Sequence, residues 1–262
     1  MVSTQHRIIR LGETGSTNKD AMRLALAGEP LPLWISAERQ SEGRGRAGRT
    51  WVSDAGNLQA SLALTCQAPL QSAGQLSFVA GIALVEAIRA ISPLAQTIGL
   101  RLKWPNDLLS GPAKAGGILV ETTTARGEPT FLGGHGFLAV IGFGLNVTTY
   151  PADLGRAAIS LAASGIATTP DAVLDALADQ TELWIERWDN GRGFATVRQA
   201  WLDRAGSIGE AITVNTASGA VSGTYQGLAP DGALLAEIAG RIETFTYGDV
   251  ALIAPSEKSS GQ

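Results

Sequence analysis

Between Gly43 and Trp51, three arginines alternate with three glycines: Gly43-Arg44-Gly45-Arg46-Ala47-Gly48-Arg49-Thr50-Trp51. The glycines let backbone N–H groups turn toward a ligand, and guanidinium forks match phosphate and carboxylate oxygens. The spacing is neither that of a P-loop nor that of a dinucleotide fingerprint. Taken alone, it also suits a flexible basic loop or an RG-type nucleic-acid tract. In Lys103-Trp104-Pro105-Asn106-Asp107 the proline stops a sheet ladder and forces a turn. Asn106 and Asp107 then sit at a strand's end, where open α/β folds bind ligands, or in a simple Asn-Asp turn. Lys114 precedes Gly116-Gly117 and an apolar strand running to Glu121. There it can hold a carboxylate and then the phosphate of an acyl-adenylate, or be an exposed loop lysine. Ser16-Thr17-Asn18, after Glu13-Thr14-Gly15, opens a helix. Its hydroxyls and amide can cap that helix and equally hydrogen-bond a neutral polar ring.

Elements of two periods must hold these groups. Arg7 to Leu11, Leu33 to Glu38, Leu100 to Trp104, Gly117 to Glu121 and Leu138 to Val147 are expected strands. Leu58, Ala60, Leu62, Leu64 and Cys66 share one face at period two, which predicts a half-buried strand with Cys66 in the core. A helix is expected over Asn18 to Ala27, capped by Ser16 or Thr17 and stopped by Gly28. Leu76, Val79, Ala83, Ala87 and Ile91 recur at helical spacing until Pro93. Thr169-Pro170-Asp171 combines a cap, a proline at the first position and an acid, and starts another helix carrying Val173, Leu177, Trp184 and Trp188. Gly191-Arg192-Gly193 breaks it before a short helix with Phe194, Val197 and Trp201. After Ala205 helical periodicity ends. Short β-like pieces at Ala211 to Asn215, Ala220 to Leu228, Ala233 to Ile238 and Ile242 to Tyr247 alternate with turns, the pattern of a small barrel. Thr122 to Gly136 suits a variable hairpin, and Pro255 to Gln262 a polar tail. The expected domains are a catalytic unit over 1–205, a barrel over 206–255 and a tail over 256–262.

Composition narrows the chemistry. The 262 residues carry a net charge of -4, one cysteine, and His6 and His135 as the two histidines. An internal disulfide, a multi-thiolate zinc site and a histidine-rich metal cage are excluded. The acidic balance argues against a protein that lives on the DNA backbone. The start has no secretory h-region, and no apolar run approaches the roughly 18 residues of a membrane span. A soluble, cytoplasmic protein is expected.

In order and spacing, from about Leu11 to Val250, these segments resemble the biotin–protein ligases. The family's glycine–arginine loop, its Lys-Trp-Pro-Asn-Asp block, its Lys-(small)-Gly-Gly-Ile-Leu-Val-Glu block and its Ser-Thr-Asn segment correspond to the four regions above. Gly142-Phe143-Gly144-Leu145-Asn146-Val147 matches a further block. The resemblance implies an α/β fold: a central mixed sheet with flanking helices, on one side, followed by an SH3-like barrel. It implies an enzyme that makes biotinyl-5′-adenylate from biotin and ATP with Mg2+. Biotin then passes to one lysine of the carrier domain of a biotin-dependent carboxylase. It places biotin against Ser16, Thr17, Asn18, Gln40, Arg44, Gly45, Arg46 and Lys114. It places the nucleotide near Arg49, Trp51, Lys103, Asn106 and Asn146. Catalysis falls to Lys114, Arg46 and Asp107, with Asp107 also the Mg2+ ligand. Edge pairing into a homodimer occurs in the family. Motifs that begin at Glu13 imply no DNA-binding domain ahead of them. Ala47 stands where relatives often carry a polar residue, with little expected consequence because alanine keeps the loop small. The competing expectations are a lipoate- or octanoate-handling ligase of the same fold and a non-catalytic biotin sensor.

Overall fold

The computed structural model describes residues 6–124, 136–152 and 157–252. His135, most of the expected Thr122–Gly136 hairpin and the tail after 255 lie outside these residues. The chain runs β1 (Ile8–Thr14), α1 (Thr17–Leu26), β2 (Leu33–Gln40), β3 (Leu58–Cys66), α2 (Gln75–Ile91), β4 (Leu100–Lys103), β5 (Asp107–Ser110), β6 (Ala113–Thr123), β7 (Phe137–Leu145), α3 (Pro170–Trp188) and α4 (Phe194–Leu202). The strands form one sheet in the order β1-β2-β3-β7-β6-β5-β4. Among the described residues only β1 and β2 pair as parallel strands, so the sheet is mixed as expected.

Side-chain alternation gives the sheet two unlike faces. Leu58, Ala60, Leu62, Leu64 and Cys66 of β3 join Ile118, Ile141 and Phe143 in the main core, with α2, α3 and α4 packed on that side. The opposite residues of β3 are buried too: Gln59, Ser61 and Ala63 are at most 1% exposed. The expected half-buried strand is therefore buried on both faces. The reason is α1, which seals Leu33, Ile35, Ala63 and Val140 on the other side of the sheet. Helices thus lie on both faces, not on one.

The stretch Leu70–Ile91 is long and apolar enough by composition to cross a membrane, which corrects the expectation that no such run exists. In the fold it is the central core helix, with Leu76, Val79, Ile82, Ala83 and Ile88 fully buried. The start of α3 is as expected. Thr169 Oγ1 accepts from Ala172 N at 3.2 Å, ahead of Pro170. A side chain at Gly193 would place Cβ 1.8 Å from Arg187 O, so only glycine allows α4 to turn back there.

The C-terminal sheet comprises β8 (Ala211–Thr216), β9 (Gly219–Leu228), β10 (Leu234–Ile238), β11 (Arg241–Phe245) and β12 (Asp249–Leu252), in the order β11-β10-β9-β8-β12. Among the described residues β11 and β12 share no ladder, so this small antiparallel sheet is open along one seam. It is fastened to the first sheet by the Trp104 indole N–H, which donates to Gly232 O at 3.2 Å, and by the Arg101–Glu210 ion pair.

Burial of Cys66 (1% exposed) pushes its thiol up to about 12. Almost no thiolate exists near pH 8. The native protein should resist a disulfide reagent such as Ellman's and react with one equivalent after denaturation, matching its single cysteine. Fast labelling of the folded protein would contradict this burial.

Candidate functional site

The sheet face covered by α1 stays open beyond the first turn of that helix. Three residues in the floor there are glycines: Gly117 of β6 pairs with Gly144 of β7, and Leu119 pairs with Gly142. A Cβ at Gly142 would lie 2.3 Å from Asn18 Oδ1, and one at Gly144 would lie 2.4 Å from the Trp51 indole. The glycines therefore leave space that larger residues would fill. The result is a solvent-open cleft over the glycine floor, lined by α1, β2 and the glycine–arginine loop.

Its upper end is neutral and fully wired. Gln40 Oε1 accepts from Thr17 N (2.8 Å) and Thr17 Oγ1 (3.0 Å), so the amide of Gln40 caps α1. Ser16 makes no side-chain cap bond, although it occupies the cap position. Ser61 Oγ donates to Asn18 Oδ1 (2.6 Å) and lies 2.7 Å from Thr17 Oγ1. Asn18 Nδ2 donates to Glu121 Oε2 at 2.7 Å, and Arg44 Nη2 donates to the other oxygen of Glu121 at 3.1 Å. Both polar atoms of the Asn18 amide thus have fixed partners, and its orientation is set.

The lower end is cationic. Asp107 is 4% exposed and ion-pairs with Lys114 through Oδ1 and with Lys103 through Oδ2 (2.9 Å). Burial pushes the Asp107 carboxyl up, but the Lys114 and Lys103 ammoniums outweigh it and hold the carboxyl below its usual range. A change of register brings Lys114 there. Leu108 pairs with Gly116 but Leu109 with Lys114, which leaves Ala115 as a bulge. In a regular ladder Lys114 would face away from Asp107; the extra residue turns it onto the cleft side. The carbonyl of Ala115 accepts from Asn146 N at 2.8 Å, so the bulge is anchored. The Lys114 ammonium also lies over the Trp51 ring, 5.7 Å from its centroid.

The glycine–arginine loop forms a narrow hairpin over this end. Gly45 N donates to Arg49 O and Trp51 N to Gly43 O. Ala47 adopts a left-handed φ of 53°, a conformation that strains a residue with a side chain. The C-terminal sheet holds two of the loop's cations and the lysine that ends β4. Arg46 Nη2 donates to Gly248 O (3.2 Å), Arg49 pairs with Asp249 (2.7 Å), and Lys103 Nζ donates to Val250 O (2.6 Å). Burial lowers the pKa of the Arg46 guanidinium, partly offset by Asp249 and Asp107.

The structure brings Ser16, Thr17, Asn18, Gln40, Arg44, Gly45, Arg46, Arg49, Trp51, Asn106, Asp107 and Lys114 to this one cleft. Lys103 lies behind it, reaching it only through Asp107. Asn146 lines a smaller recess behind Trp51, and its amide donates to Ile159 O. Lys114 stands within β6 rather than in a loop, and Asp107 begins β5 rather than ending a strand. Each Asp107 oxygen is ion-paired with a lysine, so a Mg2+ on Asp107 would share its carboxylate with both ammoniums. Among the described residues no three His, Cys, Asp or Glu side chains come together to hold a cation. Ser61, Glu121, Gly142 and Asp249 were not anticipated as contributors. The small residues Ser61 and Gly142 opposite a helix start were the available signal.

Known proteins agree with this architecture. A model of the biotin/lipoate A/B protein ligase family matches residues 12–145, and one of the biotin protein ligase C terminal domain matches 207–252. The chain is 38% identical over 234 residues to a biotin–[acetyl-CoA-carboxylase] ligase of Paracoccus denitrificans, covering 86% of this chain and 92% of that protein. It is 32% identical over 251 residues to the corresponding ligase of Mycobacterium tuberculosis, covering 92% and 86%. The solved biotin protein ligase from Aquifex aeolicus in complex with biotin and ATP matches with a TM-score of 0.76 at 25% identity, over 94% of this chain and 98% of that one.

The tie between Arg49 and Asp249 is partly solvent-exposed and so should be weak, about 0.2–1 kcal/mol. Asp249→Asn should leave the fold intact but speed tryptic cleavage at Arg44, Arg46 and Arg49 by about 1.4- to 5-fold, the equivalent of that energy in local opening. Unchanged cleavage would mean that the C-terminal sheet does not restrain the loop.

Proposed function

The chain belongs to the biotin/lipoate A/B protein ligase family, and we propose how its cleft carries out the two half-reactions of a biotin–protein ligase. In the first, a biotin carboxylate oxygen attacks the α-phosphorus of ATP. The bond to the β-phosphate oxygen breaks, pyrophosphate leaves, and biotinyl-5′-adenylate remains. In the second, the unprotonated ε-amine of an acceptor lysine attacks the acyl carbon. The C–O bond to AMP breaks, AMP leaves with the electron pair, and an amide forms with loss of one proton.

One observation carries this reading: a single cleft joins a buried neutral hydrogen-bonding end to a cationic end. The ureido ring of biotin is uncharged and needs both donors and acceptors. Ser16, Thr17, Asn18 and Gln40 provide both, with Asn18 oriented by Ser61 and Glu121 and Gln40 by Thr17 and Ser53. The same feature favours biotin over lipoate or octanoate. Those acids have no polar group at that end and cannot use the hydrogen-bonding capacity gathered there, so the site offers them less binding energy. At the other end two anions must approach each other. Lys114 and Arg46 lie where their charges would lower that repulsion and stabilise the transition state. Asp107 and Lys103 act through Lys114 by holding its ammonium in place. Mg2+ would arrive on the phosphates of ATP as part of the substrate.

The acceptor in this proposal is the carrier domain of a carboxylase, the protein named in the relatives' activity. A cytoplasmic site of action, where ATP and such carboxylases meet, belongs to the same reading. So does pairing of two copies along the sheet edge at β1, since the edge at β4 is already paired through Leu102 N and Arg204 O. The net charge of -4 supports an enzyme that does not bind a DNA operator.

Two measurements test the reading. Purified protein should exchange pyrophosphate into ATP when biotin is present but not when lipoate replaces it; the reverse preference would overturn it. Lys114→Ala should slow that exchange by on the order of 100-fold, and a parent-like rate would reduce Lys114 to a structural role. Gly142→Ala, which would drive a methyl group into Asn18, should weaken biotin binding by about tenfold or more while the circular dichroism spectrum is kept. Unaltered binding in a calorimetric titration would remove Asn18 from the ligand site.

A further inference from the structure

The buried amide of Asn18 lies over the cleft floor, since a Cβ at Gly142 would fall 2.3 Å from its Oδ1. An amide can present either an oxygen or an NH2 group at such a point, and the two orientations have nearly the same shape. The choice decides whether the ring end of the cleft offers an acceptor or a donor there. Ser61 fixes where the amide lies but not which end faces it. Its hydroxyl donates to Asn18 Oδ1 at 2.6 Å, yet a hydroxyl accepts as readily as it donates and would serve a reversed amide equally. Glu121 makes the choice. Its carboxylate, paired with Arg44, only accepts, so the NH2 group must face it, and Asn18 Nδ2 stands 2.7 Å from Oε2. The carbonyl of Leu119, another pure acceptor, adds a longer contact of the same sense at 3.4 Å.

Strand alternation puts Glu121 where it can do this. Ile118 and Val120 of β6 pack on the main core, which turns Gly117, Leu119 and Glu121 to the opposite face. Gly117 and Leu119 line the cleft, whereas Glu121 stands outside its lining and reaches a ligand only through Asn18. Its other oxygen accepts from Arg44 Nη2 at 3.1 Å, which holds the carboxylate in place. We infer that Glu121 is a specificity-determining positioning residue: by admitting one orientation of the Asn18 amide, it sets an acceptor over Gly142 that matches an N–H of the ureido ring. The inference rests on the ligase reading. A reversed amide would set its own N–H against the ureido N–H, two donors with no bond between them. The choice of ligand at the neutral end is thus fixed by a charged side chain that the ligand does not touch.

The test reverses the amide and then restores the pairing in the full chain. In Glu121→Gln the side chain keeps its size. Arg44, a donor only, claims the oxygen of the new amide, whose NH2 group then faces Asn18 and turns it over. The KM for biotin in ATP–pyrophosphate exchange should rise about tenfold, the worth of one hydrogen bond between neutral groups. The kcat and the KM for ATP should stay within twofold of the parent, the pattern of lost uniform binding. Combining Asn18→Asp with Glu121→Gln exchanges donor and acceptor between the two positions. An oxygen again lies over Gly142, and the biotin KM should return to within about threefold of the parent. An unchanged biotin KM in Glu121→Gln, a fall in kcat with a matching rise in the KM for ATP, or a double variant no better than Glu121→Gln would each overturn the inference while leaving the ligase reading in place. Absence of biotin-dependent exchange in the parent protein would overturn both.

Discussion

Asp107, buried between Lys103 and Lys114, is the interaction on which the rest depends. Two ammoniums drawn to one spot beneath a sheet repel each other unless an anion lies between them. Burial disfavours the charged carboxylate there, and the two lysines outweigh that penalty. Removing one partner of such a buried cluster typically costs about 3–5 kcal/mol, since the others are left unpaired. The cluster also fixes two separate pieces of geometry. Through Lys114 it sets where positive charge meets the ligand. Through Lys103, which donates as well to Val250 O, it helps seat the C-terminal sheet. The reactive end of the cleft and the interface between the sheets therefore share one set of charges.

How much of this could be seen in the sequence follows from what each signal encodes. Helix starts and stops were legible because caps, prolines and glycines act locally, as at Thr169-Pro170 and Gly193. The chemistry-bearing segments were legible because arginine, lysine and asparagine beside glycines are costly to place without a use. The bulge at Ala115 was not, since Ala115-Gly116-Gly117 carries no period and only pairing with β5 reveals the skipped residue. β5 (Asp107–Ser110) and β12 (Asp249–Leu252) show no apolar–polar alternation, unlike the equally short Leu100–Lys103 of β4. The second face of β3 was missed for a different reason. Gln59 and Ser61 look like the solvent side of a strand, yet they are buried because α1 and the cleft cover them. Polar residues at period two report that something polar lies opposite, not that it is water.

The glycine–arginine loop shows the same limit from the other direction. Its composition announced a ligand-binding segment, but not what holds it when no ligand is present. Three successive residues, Gly248 to Val250, engage Arg46, Arg49 and Lys103. None of the three is conspicuous in sequence, and two of them contribute only backbone carbonyls. Ala47 adds strain within the hairpin, so the loop's shape is maintained from outside rather than by its own preferences.

The two ends of the cleft are consequently built to different standards. At the neutral end, hydrogen bonds among Thr17, Asn18, Gln40, Ser61 and Glu121 connect α1 to β2, β3 and β6, and several of the partners are buried. A ligand's uncharged ring meets groups that need not move, which is what discrimination between hydrogen-bonding and apolar acids requires. At the cationic end, long side chains reach across to another sheet, and the Arg49–Asp249 pair is open to solvent and weak. An incoming phosphate can compete for such guanidiniums at little cost. Lys114, held by the buried Asp107, cannot be drawn away as easily. Recognition of the ring thus rests on rigidity, and capture of the phosphates on cations whose resting partners are easily exchanged.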